Sequence, residues 1–203
     1  MGSGMDVQVR LCDLAVWHPK LLWGEIGAAA LAVLGSHEKE NAVVIDLSVE
    51  NVPSFGTGHL QMNIEASYPL AAQVDRLRKT YEASRLVELA AIAITGAGLY
   101  YAGRHEIHNF ALRGSAADYL VDDESILLEI AGRSRRRDAS VAWQSRWGRL
   151  SETHSGGVIV SQLTASGVNE KQRVDAMSAN QPQPAMVPLN RQFRLAGVCG
   201  PPT

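Results

Sequence analysis

The chain is short of cysteine, of aromatic side chains and of net charge. Its 203 residues include only two cysteines, Cys12 and Cys199, near opposite ends. No Cys-x-x-Cys pair exists, which excludes a disulfide scaffold and a zinc-finger framework. Two lone thiols fit a reducing cytosol, so a cytoplasmic protein is expected. Nineteen basic residues face 21 acidic ones, a net of -2. That balance excludes coating of nucleic acid through bulk charge but leaves room for a local basic patch. The longest apolar stretch, residues 86–101, is interrupted by Glu88, Thr95, Gly96 and Gly98. It is too short and too broken for a bilayer span, so no membrane partner is expected. The N-terminus lacks a charged segment followed by an apolar core, so no signal peptide is expected either. Residues 1–4 read as a cloning remnant and are set outside the fold.

What is present suits a globular chain: 46% apolar and 20% charged residues. The length allows one domain with extensions. Five of the eight prolines, from Pro182 to Pro202, lie in the last 22 residues. Periodicity fades from residue 165, so 165–203 is expected to be an irregular tail. Residues 5–66 form an N-terminal α/β extension. In it, period-two alternation marks strands near 7–11, 42–49 and 60–66, the last two forming a hairpin around the turn chemistry of 53–58. A helix over 21–34 starts behind Pro19 and is ended by Gly35. Its run of Ala, Leu, Ile, Val and Gly suits packing on the core or on a second subunit.

Residues 67–164 form the main domain. Ser67 and Pro69 open a long helix that ends near Gly96–Gly98. Three strand-like runs follow, at 106–112, 116–121 and 126–131, with tight breaks between them. Residues 138–150 read as an amphipathic helix and 158–163 as a buried strand. The order is helix, strand, strand, strand, helix, strand. It predicts a mixed sheet flanked by helices.

Asp118 and Glu129 stand on two successive strands joined by a short turn. Carboxylates on one face of such a hairpin approach closely, and with a carbonyl and waters they make a hard oxygen site for Mg2+. A bound Mg2+ suits phosphodiester chemistry because it polarises a phosphoryl oxygen and activates water. The plainer alternative has Asp118 capping a turn and Glu129 exposed on its strand. The segments Gly114-Ser-Ala-Ala-Asp118 and Leu127-Leu-Glu129-Ile-Ala131-Gly-Arg133, in this element order, resemble the core of the PD-(D/E)XK nuclease superfamily. The resemblance covers about residues 67–164 and rests on short, degenerate motifs. It implies a restriction-endonuclease-like fold, with Asp118 and Glu129 as catalytic metal ligands. It also implies Glu88 on the first helix as an extra ligand and Gln144 on the second as an accessory polar group. The family lysine falls at Ala131, which can neither orient the attacking water nor stabilise charge on the phosphate. Arg133, two residues on, shares that strand face and can stabilise charge, but it stays protonated and is a poor base.

Arg133, Arg135, Arg136, Arg137, Arg146 and Arg149 put six arginines into 17 residues. They lie where a phosphate backbone approaches a nuclease of this kind, and arginine suits bidentate phosphate contacts. A solvated loop and helix start is the plainer alternative. Trp143 and Trp147, four apart, read as the core face of their helix rather than a base-stacking platform. His105 and His108 point to opposite faces of a strand and cannot chelate together. No phosphate-binding glycine loop and no Gly-x-Ser-x-Gly elbow occurs. The expected function is a Mg2+-dependent nuclease or a nucleic-acid-binding protein with a nuclease-like fold, acting on DNA or RNA. Arg133, Arg135, Arg136 and Arg137 then contact the nucleic acid. The rival is a non-catalytic structural or protein-interaction module, working as a homo-oligomer or with a protein partner.

Overall fold

Strict alternation of Leu60, Met62 and Ile64 with Gln61, Asn63 and Glu65 gives one strand a buried and an exposed face. That strand belongs to an eight-stranded mixed sheet. The computed structural model describes residues 3–34, 43–52, 54–65, 68–111, 117–122, 126–133, 144–149, 157–164 and 192–198. The strands are β1 Ser3–Arg10, β2 Val43–Val52, β3 Gly56–Glu65, β4 Ile107–Phe110, β5 Tyr119–Val121, β6 Ile126–Arg133, β7 Gly157–Thr164 and β8 Gln192–Val198. The helices are α1 Leu14–Trp17, α2 Trp23–Leu34, α3 Tyr68–Thr80 and α4 Ala83–Gly103, with a further helical segment, α5, at residues 144–149.

The order across the sheet is β1-β3-β2-β8-β7-β6-β5-β4. β4, β5 and β6 form an antiparallel meander, and β7 returns parallel to β6. A parallel return needs a crossover, and α5 lies within that connection. The mixed sheet flanked by helices thus matches the expectation from element order.

The N-terminal extension is continuous with the main sheet. β2 and β3 form the expected hairpin, and β1 runs parallel to β3. Ser3 and Gly4, set outside the fold on sequence grounds, pair with Gly58 and His59 in that ladder. The tail also departs from expectation. Residues 192–198 form β8, inserted between β2 and β7 at the middle of the sheet. An irregular tail therefore does not describe the whole of 165–203. Local periodicity is weak over seven residues, and this strand is held by backbone pairing to β2 and β7 far back along the chain.

The long helix expected from residue 67 is two helices, divided at Tyr81 and Glu82. The second runs through Gly96 and Gly98 and stops at Arg104, which adopts the left-handed conformation (φ 61°). Those glycines are packing residues rather than helix breakers. A Cβ on Gly96 would stand 3.1 Å from both His18 Nε2 and Trp23 Cη2, and one on Gly98 would stand 2.6 Å from Leu47 Cδ2. By length and composition α4 could cross a bilayer, yet most of its apolar length is buried inside the protein. It packs on α2, β6, β7 and β2. Ala28, Ala29 and Ala30 on α2 and Ala90, Ala91, Ala93 and Ala97 on α4 are fully buried, and such small side chains allow close helix approach. One apolar cluster joins these helices to Ile45, Leu47, Leu60, Met62, Ile64, Leu128 and Ile159 of the sheet.

Candidate functional site

β6 has two kinds of face. Ile126, Leu128 and Ile130 join the apolar cluster under α4. Residues 127, 129 and 131 alternate onto the other face, which α5 covers. Glu129 is only 3% exposed there, so its charge needs partners. Two helix arginines supply them. Arg146 Nη1 donates to Glu129 Oε1 at 2.6 Å, and Arg149 Nη2 donates to Oε1 at 2.6 Å and to Oε2 at 2.7 Å. Arg146 also reaches the Ile130 carbonyl oxygen at 3.4 Å. Arg146 and Arg149 are three apart, so one helix face presents both guanidiniums to one carboxylate.

Asp118 immediately precedes β5. Its backbone N–H donates to the Leu128 carbonyl oxygen at 3.0 Å, and its Oδ2 accepts from the Ile130 N–H at 2.9 Å. The β5–β6 register, Tyr119 with Leu128 and Leu120 with Leu127, extended by one step sets Asp118 opposite Glu129. The Asp118 carboxylate therefore lies one peptide from Glu129. Hydrogen bonding and charge from Glu129, with a smaller contribution from Asp118, raise the Arg149 pKa above the ordinary arginine value. Both acids thus act on the same guanidinium.

Glu88 is exposed on α4 and paired with Arg85 at 3.0 Å. Its link to the site runs through Tyr119. That hydroxyl is pushed up to about 12, chiefly by burial and then by the charge of Asp118, with Arg85 opposing and Glu88 adding a smaller rise. Gln144 is exposed at the start of the described part of α5. Arg133 ends β6. Arg135, Arg136, Arg137 and Trp143 lie outside the described residues. Sequence reasoning placed Arg146 and Arg149 in the basic cluster but gave neither a role at Glu129. Their spacing of three on an amphipathic helix, directly after the acidic strand, was the available signal.

Two further polar centres escaped the sequence. His18 is fully buried between α1, α4 and β4. Its Nδ1 accepts the Ile107 N–H at 3.0 Å, so Nε2 carries the proton and donates to the Gly96 carbonyl oxygen at 3.0 Å. Burial lowers its pKa to about 4, against weaker raising effects from that bond and from Asp122. His105 Nδ1 pairs with Asp122 Oδ2, and Asp122 Oδ1 accepts the Glu106 N–H at 2.8 Å. His105 thus ties β4 to the turn after β5.

Mg2+ can be tested against this donor set. Both Glu129 oxygens already accept from guanidiniums, and Asp118 Oδ2 accepts from a backbone amide. A dication arriving at Glu129 would meet two positive charges at contact distance. Among the described residues, no three His, Cys, Asp or Glu side chains come together as a metal-binding group. In this arrangement the residues present do not fit a resident Mg2+. Comparison with protein families, with curated proteins and with solved structures gives no match for the chain.

Proposed function

We propose that this is a nucleic-acid-binding protein with a nuclease-like fold, in which the acidic pair of the nuclease pattern is kept and arginines stand where metal chemistry would be expected. The observation that carries the reading is the placement of Asp118 and Glu129. They face each other across β5 and β6, the last two strands of a meander whose next strand returns parallel beyond a helical segment. That is the order and the placement that the resemblance to the PD-(D/E)XK superfamily implies. The binding surface is the face where α5 meets β6, with Arg146 and Arg149 on it. Arg133 ends β6, and Arg135, Arg136 and Arg137 follow it in the sequence. The partner is DNA or RNA, bound through its phosphodiester backbone.

A Mg2+-dependent nuclease is the second reading. The cross-strand position of Asp118 and Glu129 favours it, but it requires Glu129 to release both arginines first. One assay separates the readings. Labelled single- and double-stranded DNA and RNA are incubated with the protein in EDTA, Mg2+ or Mn2+, and both retention and cleavage are measured. The expected result is salt-sensitive binding in EDTA and no metal-dependent cleavage. Cleavage that needs metal and disappears in Glu129→Ala would establish the second reading. No binding and no cleavage would leave a protein-interaction module in the cytoplasm as the function.

A further inference from the structure

We infer that His18 is an acid-sensitive latch on one edge of the sheet: as a neutral imidazole it holds β4 in place, and a proton on its Nδ1 releases that strand and opens the edge of β5. That role does not depend on the nucleic-acid-binding reading above.

β4 is lightly held. It is the end strand of the sheet and pairs with the three-residue β5. Of its four residues Ile107 is buried, His108 is half-buried, and Asn109 and Phe110 are exposed. Such thin contacts put a segment at the low end of local stability. Two histidines add to its hold. The Ile107 N–H donates to His18 Nδ1 at 3.0 Å. Just before the strand, His105 Nδ1 pairs with Asp122 Oδ2, and Asp122 Oδ1 accepts the Glu106 N–H at 2.8 Å.

The tautomer makes the latch selective. His18 Nε2 already carries a hydrogen and donates it to the Gly96 carbonyl oxygen at 3.0 Å. Adding a proton to the ring leaves that bond intact. At Nδ1 the proton turns an acceptor into a donor, which then meets the Ile107 N–H donor to donor. It therefore acts on β4 and not on α4. With β4 closed the added charge is costly, because the ring is fully buried and lies 5.0 Å from the Trp23 indole. Once β4 leaves, water reaches the nitrogen that pointed at it.

The surroundings of the ring set the sign. α2 offers the Trp23 ring and α4 the Gly96 carbonyl, both uncharged. Asp122, in the turn after β5 and paired with His105, favours the proton. Glu106 adjoins β4, and its Oε1 is buried without a hydrogen-bond partner among the described residues. Burial outweighs the pull of Asp122 and of the Gly96 bond, and the closed ring has a pKa of about 4. In the open state, with the ring in water, the ordinary value of 6.5 returns. Between those values the open state gains protons that the closed state does not, so each unit of falling pH favours opening by close to tenfold. Release of β4 uncovers the outer edge of β5 and the Asp118 carbonyl oxygen, which accepts the Ala111 N–H at 3.0 Å. The opening thus reaches the strand that leads from Asp118, and an unpaired edge invites strand addition.

The test is hydrogen exchange of the backbone amides of the full chain, followed by NMR from pH 7.5 to pH 4.5 and corrected for the intrinsic pH dependence of exchange. The Ile107 amide is expected to open about fiftyfold more often at pH 4.5 than at pH 7.5. At every pH it should open at least about tenfold more often than the Met62 amide of β3, because β4 leaves without the rest of the sheet. His18→Gln should abolish the pH dependence and Glu106→Gln should keep it, with circular dichroism confirming that each variant is folded. A flat Ile107 profile in the wild-type protein overturns the latch, and that measurement needs no variant. The same rise in folded His18→Gln overturns it too. So does an Ile107 amide that opens only as often as Met62, since the release would then be global unfolding. A flat profile in folded Glu106→Gln would move the switch to Glu106 and end the role of His18.

Discussion

His18 links stability to pH through one nitrogen. Its Nδ1 accepts a backbone N–H from Ile107 and its Nε2–H serves the Gly96 carbonyl, while the indole N–H of Trp23 donates to the His18 carbonyl oxygen at 2.6 Å. Protonating Nδ1 would remove an acceptor and bury a charge. The neutral form is therefore held in the folded chain, with a pKa of about 4 against an ordinary 6.5. As pH falls below 6.5, the unfolded chain takes up a proton and the folded chain does not. Stability from this residue is complete above pH 6.5, falls between there and about pH 4, and then levels off. The expected loss across that window is about 3 kcal/mol. Urea unfolding of wild type and His18→Gln at pH 7 and pH 4.5 reads it directly. The variant should be less stable at neutral pH, and the gap between the two proteins should narrow as pH falls. A constant gap would show that His18 titrates normally in the fold. Nothing in the sequence marks His18 as buried, since it stands beside Pro19 and Lys20 at the expected start of a helix.

At the scale of elements, α4 shows where local reading succeeds and where it fails. Its apolar periodicity from Leu86 to Ala93 is plain in the sequence, and so are the short strands after it. Alternation and turn residues act over a few positions, which is why β5 and β6, and with them Asp118 and Glu129, were legible. Gly96 and Gly98 carried the opposite message, because glycine destabilises an isolated helix. Only the neighbours explain them, and those neighbours, His18, Trp23, Leu14 and Leu47, lie about 50 to 80 residues away in the chain. Gly96→Ala should therefore destabilise the protein by about 1–3 kcal/mol, since overpacking against three fixed side chains outweighs the gain in helix propensity. Gly24→Ala in α2 is the control. Nothing lies within 4 Å of a Cβ there, so it should be neutral or stabilise by up to about 1 kcal/mol. Thermal melts should show a lowered midpoint for Gly96→Ala and an unchanged or raised one for Gly24→Ala. A stabilised Gly96→Ala protein would mean that α1 and α2 stand farther from α4 than described. The arginine clamp on Glu129 failed to be legible for a related reason. Six arginines were visible, but which of them meets the acid depends on how α5 lies across β6, and no local pattern encodes that.

For the whole molecule, the decisive element is β8. In the strand order it alone joins β1-β3-β2 to β7-β6-β5-β4. It pairs parallel with β2, from Asp46–Gln192 to Glu50–Ala196, and antiparallel with β7, from Val158–Val198 to Leu163–Phe193. The contacts with β2 close a loop of almost 150 residues, so they carry an entropic cost of closure that the local pairings do not. The sequence could not reveal this. Gln192–Val198 is a short run beyond a proline-rich stretch, and its partners lie far back along the chain. Removing residues 192–203 would turn β2 and β7 into open edges, each exposing a row of unpaired N–H and C=O groups. The α4 packing on both halves would remain, so the truncated chain should collapse but lose its cooperative melt and associate through the exposed edges. Differential scanning calorimetry and light scattering would show both effects. A synthetic peptide of residues 188–203 should restore the melt in trans, because backbone pairing along both edges is what the site recognises. A truncated chain that stays monomeric and melts cooperatively at the full-length temperature would show that the two halves need no central strand. In that case the candidate site on β5, β6 and α5 would be carried by the β4–β7 half alone.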